Sequence, residues 1–185
     1  ASLYPPTDRG GTPGVIDDVD RTLPISERFF SGGSTTLRGF SSEEAGPRIV
    51  VPGGVFRNNE GELVTINPFT VPIGGNALAV VNLEARVPLV KGFQAVPFYD
   101  GGNVFRRVGD IFGRDVQPGE DPNARARWTH TVGLGLRFKT PFGPLSVDYG
   151  FLLNPPTFVL RQADGTDAQI RLRRTQFHFR FGQTF

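Results

Sequence analysis

Apolar and polar residues alternate along most of the chain from Asn76 to its last residue. Successive side chains of a strand point to opposite faces, so a period of two predicts β-structure with one apolar face. We predict five strands, at residues 76–88, 92–105, 130–140, 144–154 and 170–185. Ile170 and Leu172 have the opposite parity from Phe177, which indicates a bulge near Thr175 in the last strand.

The predicted strands are longer than the roughly 5–6 residues usual in soluble proteins. They are long enough for the roughly 9–11 tilted residues that cross a bilayer. Their connections alternate between short turns at 89–91 and 141–143 and long loops at 41–75, 106–129 and 155–169. This alternation is typical of outer-membrane barrels, so we predict an all-β, antiparallel transmembrane β-barrel. A soluble β-sandwich, which also has one apolar and one polar face, is the competing interpretation.

The polar faces of the five strands carry charges of both signs mixed with glycines. These charged residues are Glu84, Arg86, Asp100, Arg137, Lys139, Asp148 and Arg180. The opposite face of the last strand carries a phenylalanine at nearly every outward position. A charged interior with an aromatic exterior is the pattern expected of a membrane barrel rather than a sandwich.

The part of the chain before Asn76 lacks this alternation. Residues 1–22 predict an irregular arm or loop. Residues 23–75 predict a long surface loop rich in Gly, Ser, Thr and Pro, in which residues 62–66 could form a short β segment. Within that loop, Gly32 and Gly33 form a hinge that precedes the sequence Arg38-Gly39-Phe40. A lone arginine between a flexible run and a Gly-aromatic pair indicates a charge carried at a loop tip; an ordinary surface turn is the alternative.

The composition of the chain excludes several kinds of binding and catalytic site. The chain has no cysteine, which excludes disulfides, thiolate metal sites and cysteine nucleophiles. Its net charge is +2 with no basic block, so we expect no nucleic-acid partner. His130 and His178 lack ligand-like spacing, and no Gly-x-Ser-x-Gly elbow occurs. We therefore expect no metal, no cofactor and no enzymatic activity.

Five stretches, in order, are similar to the C-terminal barrel of the BamA/TamA outer-membrane assembly and translocation superfamily, the bacterial surface antigen family. They are ERFFSGGSTTLRGF (27–40), GGNALAVVNLEARVPL (74–89), FQAVPFYDGGNVF (93–105), GLGLRFKTPFGPLSVDYGFLLN (133–154) and FHFRFGQTF (177–185). The first resembles the family's sixth surface loop with its Arg-Gly-aromatic tip. The last resembles its terminal strand.

The resemblance implies a location in the bacterial outer membrane and contact with its lipid. It also implies further N-terminal barrel strands and periplasmic POTRA modules, for which this sequence has no recognisable counterpart. Five strands leave two open edges, which cannot lie unpaired in lipid, so we expect a partial barrel that belongs to a larger one.

The implied function is insertion of a client β-barrel or translocation of an exported polypeptide. A translocator dedicated to one secreted partner, or a barrel that anchors an absent enzyme domain, is the alternative. A passive porin-like barrel is the third candidate function.

In the family, the tip arginine reaches into the lumen and pairs with acids on the following strands, which carries over here to Arg38 with Glu84 and Asp100. The residues agree independently, because both acids lie on the polar faces of neighbouring strands and would repel without a cation between them. A guanidinium fork can hold two carboxylates, so we expect lysine to be a poor substitute. We expect Gly39 to adopt a backbone conformation closed to residues that have a side chain. We expect Phe40 to wedge the tip against the lumen wall. The alternative is that both acids are hydrated and balanced by Arg86 and Arg137.

The last strand carries a second candidate site. Phe177, Phe179, Phe181 and Phe185 resemble the C-terminal recognition signal of outer-membrane barrels, which is read by strand addition. In the family, the glycine at the position of Gly182 allows a kink that loosens the seam between the first and last strands. The simpler interpretation of the phenylalanines is a lipid-facing aromatic girdle, and both can hold together.

Overall fold

The computed structural model describes residues 23–51, 53–113, 126–161 and 167–182. Within these ranges it contains short 3-10 helices at Ile25–Glu27 and Val108–Phe112. Its strands are β1 Arg48–Val51, β2 Gly54–Arg57, β3 Leu63–Ile66, β4 Phe69–Pro72, β5 Ala77–Glu84, β6 Val87–Val90, β7 Phe93–Phe105, β8 Thr129–Thr140, β9 Gly143–Leu152, β10 Thr157–Arg161, β11 Asp167–Arg171 and β12 Thr175–Phe181. The predicted irregular arm at 1–22 lies outside the described residues. No helix in the described part of the chain is long and apolar enough to cross a membrane.

The main sheet is antiparallel and runs in the order β5-β7-β8-β9-β12, with β6 also paired to β7. Strand β8 lies against β7 from Phe93↔Phe138 to Gly102↔Thr129, and β12 lies against β9 from Thr175↔Phe151 to Phe181↔Leu145. The all-β, antiparallel fold predicted from the period-two pattern is confirmed.

The two faces of this sheet have different environments. One face, here called the inner face, contacts the loop and carries buried charged side chains such as Asp100, Arg137 and Asp148. The outer face carries large apolar side chains that are exposed, among them Leu83, Leu134 and Tyr149. Exposed apolar rows on long strands are the surface that lipid would cover.

The sequence predicts one strand at 76–88, whereas the structure divides it into β5 and β6. The interruption falls at Ala85 and Arg86, opposite Pro97 of β7. Ala85 donates its N–H to the Pro97 carbonyl at 3.1 Å. Pro97 has no N–H to donate in return, so the ladder loses a bond at that point.

The last predicted strand, 170–185, also differs from the structure. Residues 170 and 171 belong to β11, which pairs with β10 in a separate hairpin, and the main sheet resumes only at β12. The parity change between Ile170 and Phe177 therefore reflects a departure from the sheet rather than a bulge within one strand. Residues 183–185, including Phe185, lie outside the described residues.

Residues 41–75 were expected to be irregular apart from one short β segment at 62–66. The structure contains four strands there, of which β3 lies within that segment. Strands β1 and β4 pair, and β2 and β3 form a hairpin between them. We call residues 48–72, which are separate from the N-terminal residues 1–22, the arm. Each arm strand has four residues, too few to reveal a period of two, and the intervening Gly and Pro residues make the segment look like loop.

Candidate functional site

The loop tip, residues 32–41, is a compact turn that folds back at Gly32 and Gly33. Their φ angles are +117° and +93°, values that residues with a Cβ rarely adopt. The Gly33 N–H donates to the Phe40 carbonyl at 3.0 Å, and the Thr36 hydroxyl accepts from the Gly32 N–H at 3.0 Å. The turn closes so that residues 37–40 are all buried against the sheet.

Arg38 lies at the centre of the contact between tip and sheet. Its Nε and Nη2 donate to Oδ2 and Oδ1 of Asp100 at 2.8 and 2.6 Å, which is a bidentate pair. Its Nη1 donates to Glu84 Oε1 at 2.5 Å. Arg38 is 3% exposed and Asp100 0% exposed, so the pair is shielded from solvent.

Neighbouring groups complete the binding site of the Arg38 guanidinium. The Arg38 main-chain N–H donates to Asp100 Oδ2 at 3.0 Å, and Asn82 Nδ2 donates to Asp100 Oδ1 at 2.7 Å. The guanidinium carbon lies 3.6 Å from the centroid of the Phe98 ring, within cation–π distance. Asp100 is therefore bound by several donors, and Arg38 is enclosed by two acids and one aromatic ring.

The charge environment keeps Arg38 protonated. Burial lowers the pKa of Arg38, but the hydrogen bonds and negative charges of Asp100 and Glu84 outweigh it and raise the pKa above its usual value. Glu84 is only partly buried and also lies 3.8 Å from Arg137 Nη2 and 3.7 Å from Arg86 Nη2. The two arginines considered as alternative counter-charges thus flank Glu84, while Arg38 holds the shorter contacts.

Gly39 and Phe40 follow Arg38 into the sheet. The expectation that Gly39 needs an unusual backbone conformation is wrong, because its φ is not positive. Space is the constraint instead: a Cβ at Gly39 would overlap the Thr131 hydroxyl and crowd Leu152. Phe40 is buried in a small core with Leu37, Ala45 and Leu152.

A second ionic cluster continues across the inner face. Asp148 on β9 accepts from Arg137 Nη1 at 2.5 Å and from Arg180 Nη2 at 3.0 Å. Arg137 lies on β8 and Arg180 on β12, so the cluster links three adjacent strands. Through the Arg137–Glu84 contact it approaches the seat of Arg38.

The outer face of β12 carries the phenylalanine row. Phe177, Phe179 and Phe181 are 60%, 63% and 56% exposed, with nothing of the described chain covering them. Gly182 follows with φ of +77° and donates its N–H to the Pro144 carbonyl at 3.0 Å. The strand therefore turns at Gly182, next to the short connection between β8 and β9.

A family model described as the Omp85 superfamily domain matches residues 10–185. The chain belongs to the Omp85 superfamily. It is also similar to the outer membrane protein assembly factor BamA of Nitratidesulfovibrio vulgaris (strain Hildenborough), with 29% identity over 184 residues. That alignment covers 96% of this chain and 17% of the relative, so the chain spans about one-sixth of the length of the curated protein it matches.

Family membership and the exposed apolar outer face agree on where this Omp85 chain resides. Its location is the bacterial outer membrane. The structure brings Arg38, Glu84 and Asp100 together on the inner face, and it separates them from the phenylalanine row, which lies on the outer face of the same sheet.

Three residues at the site of this Omp85 chain were not singled out from the sequence: Asn82, Phe98 and His178. Asn82 and Phe98 share the parity of Glu84 and Asp100 and lie two positions away along the same strands. His178 shares the parity of Arg180 and bonds the main chain of the tip, with Nε2 3.1 Å from the Arg38 carbonyl oxygen. Parity places all three on the inner face, but no sequence pattern indicates which inner residues meet a distant loop.

Proposed function

We propose that this chain supplies the C-terminal strands and the lumen-bracing loop of an outer-membrane barrel that inserts client β-barrels or translocates polypeptides. The work is non-enzymatic: the barrel guides a client strand, while the loop tip holds the inner face in one arrangement. Barrel strands upstream of these, POTRA modules, lipid and an unfolded client are the proposed partners. Membership of the Omp85 superfamily and similarity to an assembly factor support the proposal.

The proposal rests on the pairing of the buried Arg38 guanidinium with the buried Asp100 and the partly exposed Glu84. Removing charged groups from water is costly, and close hydrogen-bonded pairing offsets that cost. A loop tip held against the inner wall by an arginine and two acids keeps that wall in one arrangement. This suits a barrel that must hold and release a defined internal arrangement.

The exposed row of Phe177, Phe179 and Phe181 supports a second part of the proposal. We assign it as the C-terminal signal read during the barrel's own assembly, with Phe185 and the turn at Gly182 completing it. Strand addition uses main-chain bonds for affinity and alternate side chains for specificity, which this row provides. The same side chains then contact lipid in the assembled barrel.

Reconstitution tests the function. The full-length protein in lipid vesicles is given an unfolded client β-barrel, and the heat-resistant folded client is measured over time. We expect Arg38→Ala to slow client folding and Arg57→Ala, an exposed arginine of the arm, to leave it unchanged. No acceleration of client folding over empty vesicles would contradict the assembly role, and secretion of one dedicated partner instead would favour the translocator.

A further inference from the structure

Strand β12 lies at the end of the main sheet, and within the described residues its only ladder partner is β9. Its inner face carries Gln176, His178 and Arg180. A strand with one neighbour is held by fewer main-chain bonds than an interior strand, so side-chain contacts count more toward keeping it in place.

Two of the three inner side chains of β12 form hydrogen bonds to the loop tip. His178 Nε2 donates to the Arg38 carbonyl oxygen at 3.1 Å, and the Ser41 hydroxyl donates to Gln176 Oε1 at 3.3 Å. The third, Arg180, pairs with Asp148 of the neighbouring strand. The tip therefore contributes directly to holding the terminal strand.

The loop tip crosses the inner face of the sheet from β5 towards β12. Its side-chain contacts lie on the opposite edge strand β5 and on β7, through Glu84 and Asp100. Its main chain then passes close over β9, where a Cβ at Gly150 would overlap the Arg38 carbonyl oxygen. The tip thus spans the sheet from one edge strand to the other, with Arg38 using its side chain at one end and its carbonyl at the other.

We propose that His178 is a positioning residue that couples the seated loop tip to the terminal strand, so that unseating the tip loosens β12. The mechanistic importance of this coupling rests on the proposed function, since a terminal strand that can be freed or held is useful to a barrel that handles client strands. The coupling itself is a property of the folded protein and needs no client.

The chain offers a matched control in its other histidine. His130 lies on the outer face of β8, and its Nδ1 is 2.7 Å from the Tyr99 hydroxyl. Phenylalanine at either histidine keeps an aromatic ring and removes the ring nitrogens. Glutamine at position 178 keeps an N–H donor at the end of the side chain.

Hydrogen exchange of the full-length protein in lipid nanodiscs, read by mass spectrometry, tests the coupling. We expect His178→Phe to speed exchange about fivefold in β12 and in residues 36–41, the factor that loss of one ordinary hydrogen bond produces. His178→Gln should restore most of the protection, and His130→Phe should change neither segment. Arg38→Ala, which keeps the carbonyl acceptor but unseats the tip, should also speed exchange in β12.

Two outcomes would overturn the proposal. One is exchange in β12 of His178→Phe that matches His130→Phe. The other is acceleration that extends equally to β8, which would mean that His178 stabilises the whole sheet and not the tip contact. Client folding is not part of the readout, so a failure of the assembly role and a failure of the coupling give separate results.

Discussion

The tip and the arm belong to the same loop, yet the centre of the tip is buried whereas the described residues of the arm, apart from Arg48, are exposed or only partly buried. In the tip, Leu37, Arg38 and Phe40 are buried on the inner face of the main sheet. In the arm, Val55, Leu63 and Phe69 remain exposed on strands that pair only with one another in the described chain. Both segments are rich in glycine and interrupted by turns.

Local composition therefore does not decide which part of the loop is buried. The difference lies in what the main sheet offers. Asp100 and Glu84 supply the acids that bind Arg38, and the lack of a side chain at Gly150 leaves room for the tip backbone. A buried arginine is stable only where such partners exist.

Arg38→Ala should have the largest effect, because it leaves Asp100 buried without its cation. Breaking one side of a buried pair costs about 3–5 kcal/mol, and we expect the free energy of unfolding to fall by that amount. The measurement is urea unfolding of the full-length protein in lipid vesicles. Arg57→Ala in the arm is the control, with an expected change within about 0.5 kcal/mol. Equal losses in both variants would remove the distinction between tip and arm.

Gly39→Ala should destabilise the tip by about 1–3 kcal/mol, the usual cost of adding a methyl group to a tightly packed site. The added Cβ meets the side chain of Thr131. Thr131→Ala in the same chain makes room for it, so the double variant should recover part of the loss in the same unfolding measurement. A double variant as unstable as the sum of both singles would show that space at Thr131 is not the constraint.

Arg38→Lys should lie between wild type and Arg38→Ala. Lysine keeps the positive charge but cannot bind Asp100 with two nitrogens and reach Glu84 as well. We expect a loss of about 1–2 kcal/mol in the free energy of unfolding, the scale of a charged hydrogen bond. Full retention of stability would mean that charge alone seats the tip and that the fork geometry is unimportant.

Val55→Thr in the arm should have the smallest effect, within about 0.5 kcal/mol, because this β2 side chain is largely exposed. The measurement is the same urea transition. A loss comparable to that of Gly39→Ala would indicate that the arm is packed against something in the assembled barrel, and the contrast with the tip would then need revision.

The fold was largely predictable from the sequence because β5, β7, β8 and β9 alternate over many residues, and the parity of such strands is unambiguous. Most of the arm was not, since four-residue strands separated by Gly and Pro carry too little periodicity; only the segment that contains β3 was indicated. The hairpin of β10 and β11 was also missed. A parity change near Thr175 signals that the strand is interrupted, but it does not distinguish a bulge from a departure into another sheet.

For the site, parity placed Glu84 and Asp100 on one face, and charge repulsion indicated that a cation belongs between them. The roles of Asn82, Phe98 and His178 depend on which part of the inner face a remote tip covers. That is set by long-range packing, such as the close approach of the tip to Gly150, and leaves no local signal.

A double-mutant cycle on Arg38 and Asp100 tests whether this pair holds the loop tip on the inner face. Arg38→Ala, Asp100→Ala and the double variant are compared for unfolding free energy and client folding in the full-length protein. If the tip is seated by this pair, the double variant is no worse than the more damaging single variant, so the coupling energy is at least as large as the smaller of the two single losses. Additive effects would contradict the account, because they would mean that Arg38 and Asp100 act independently.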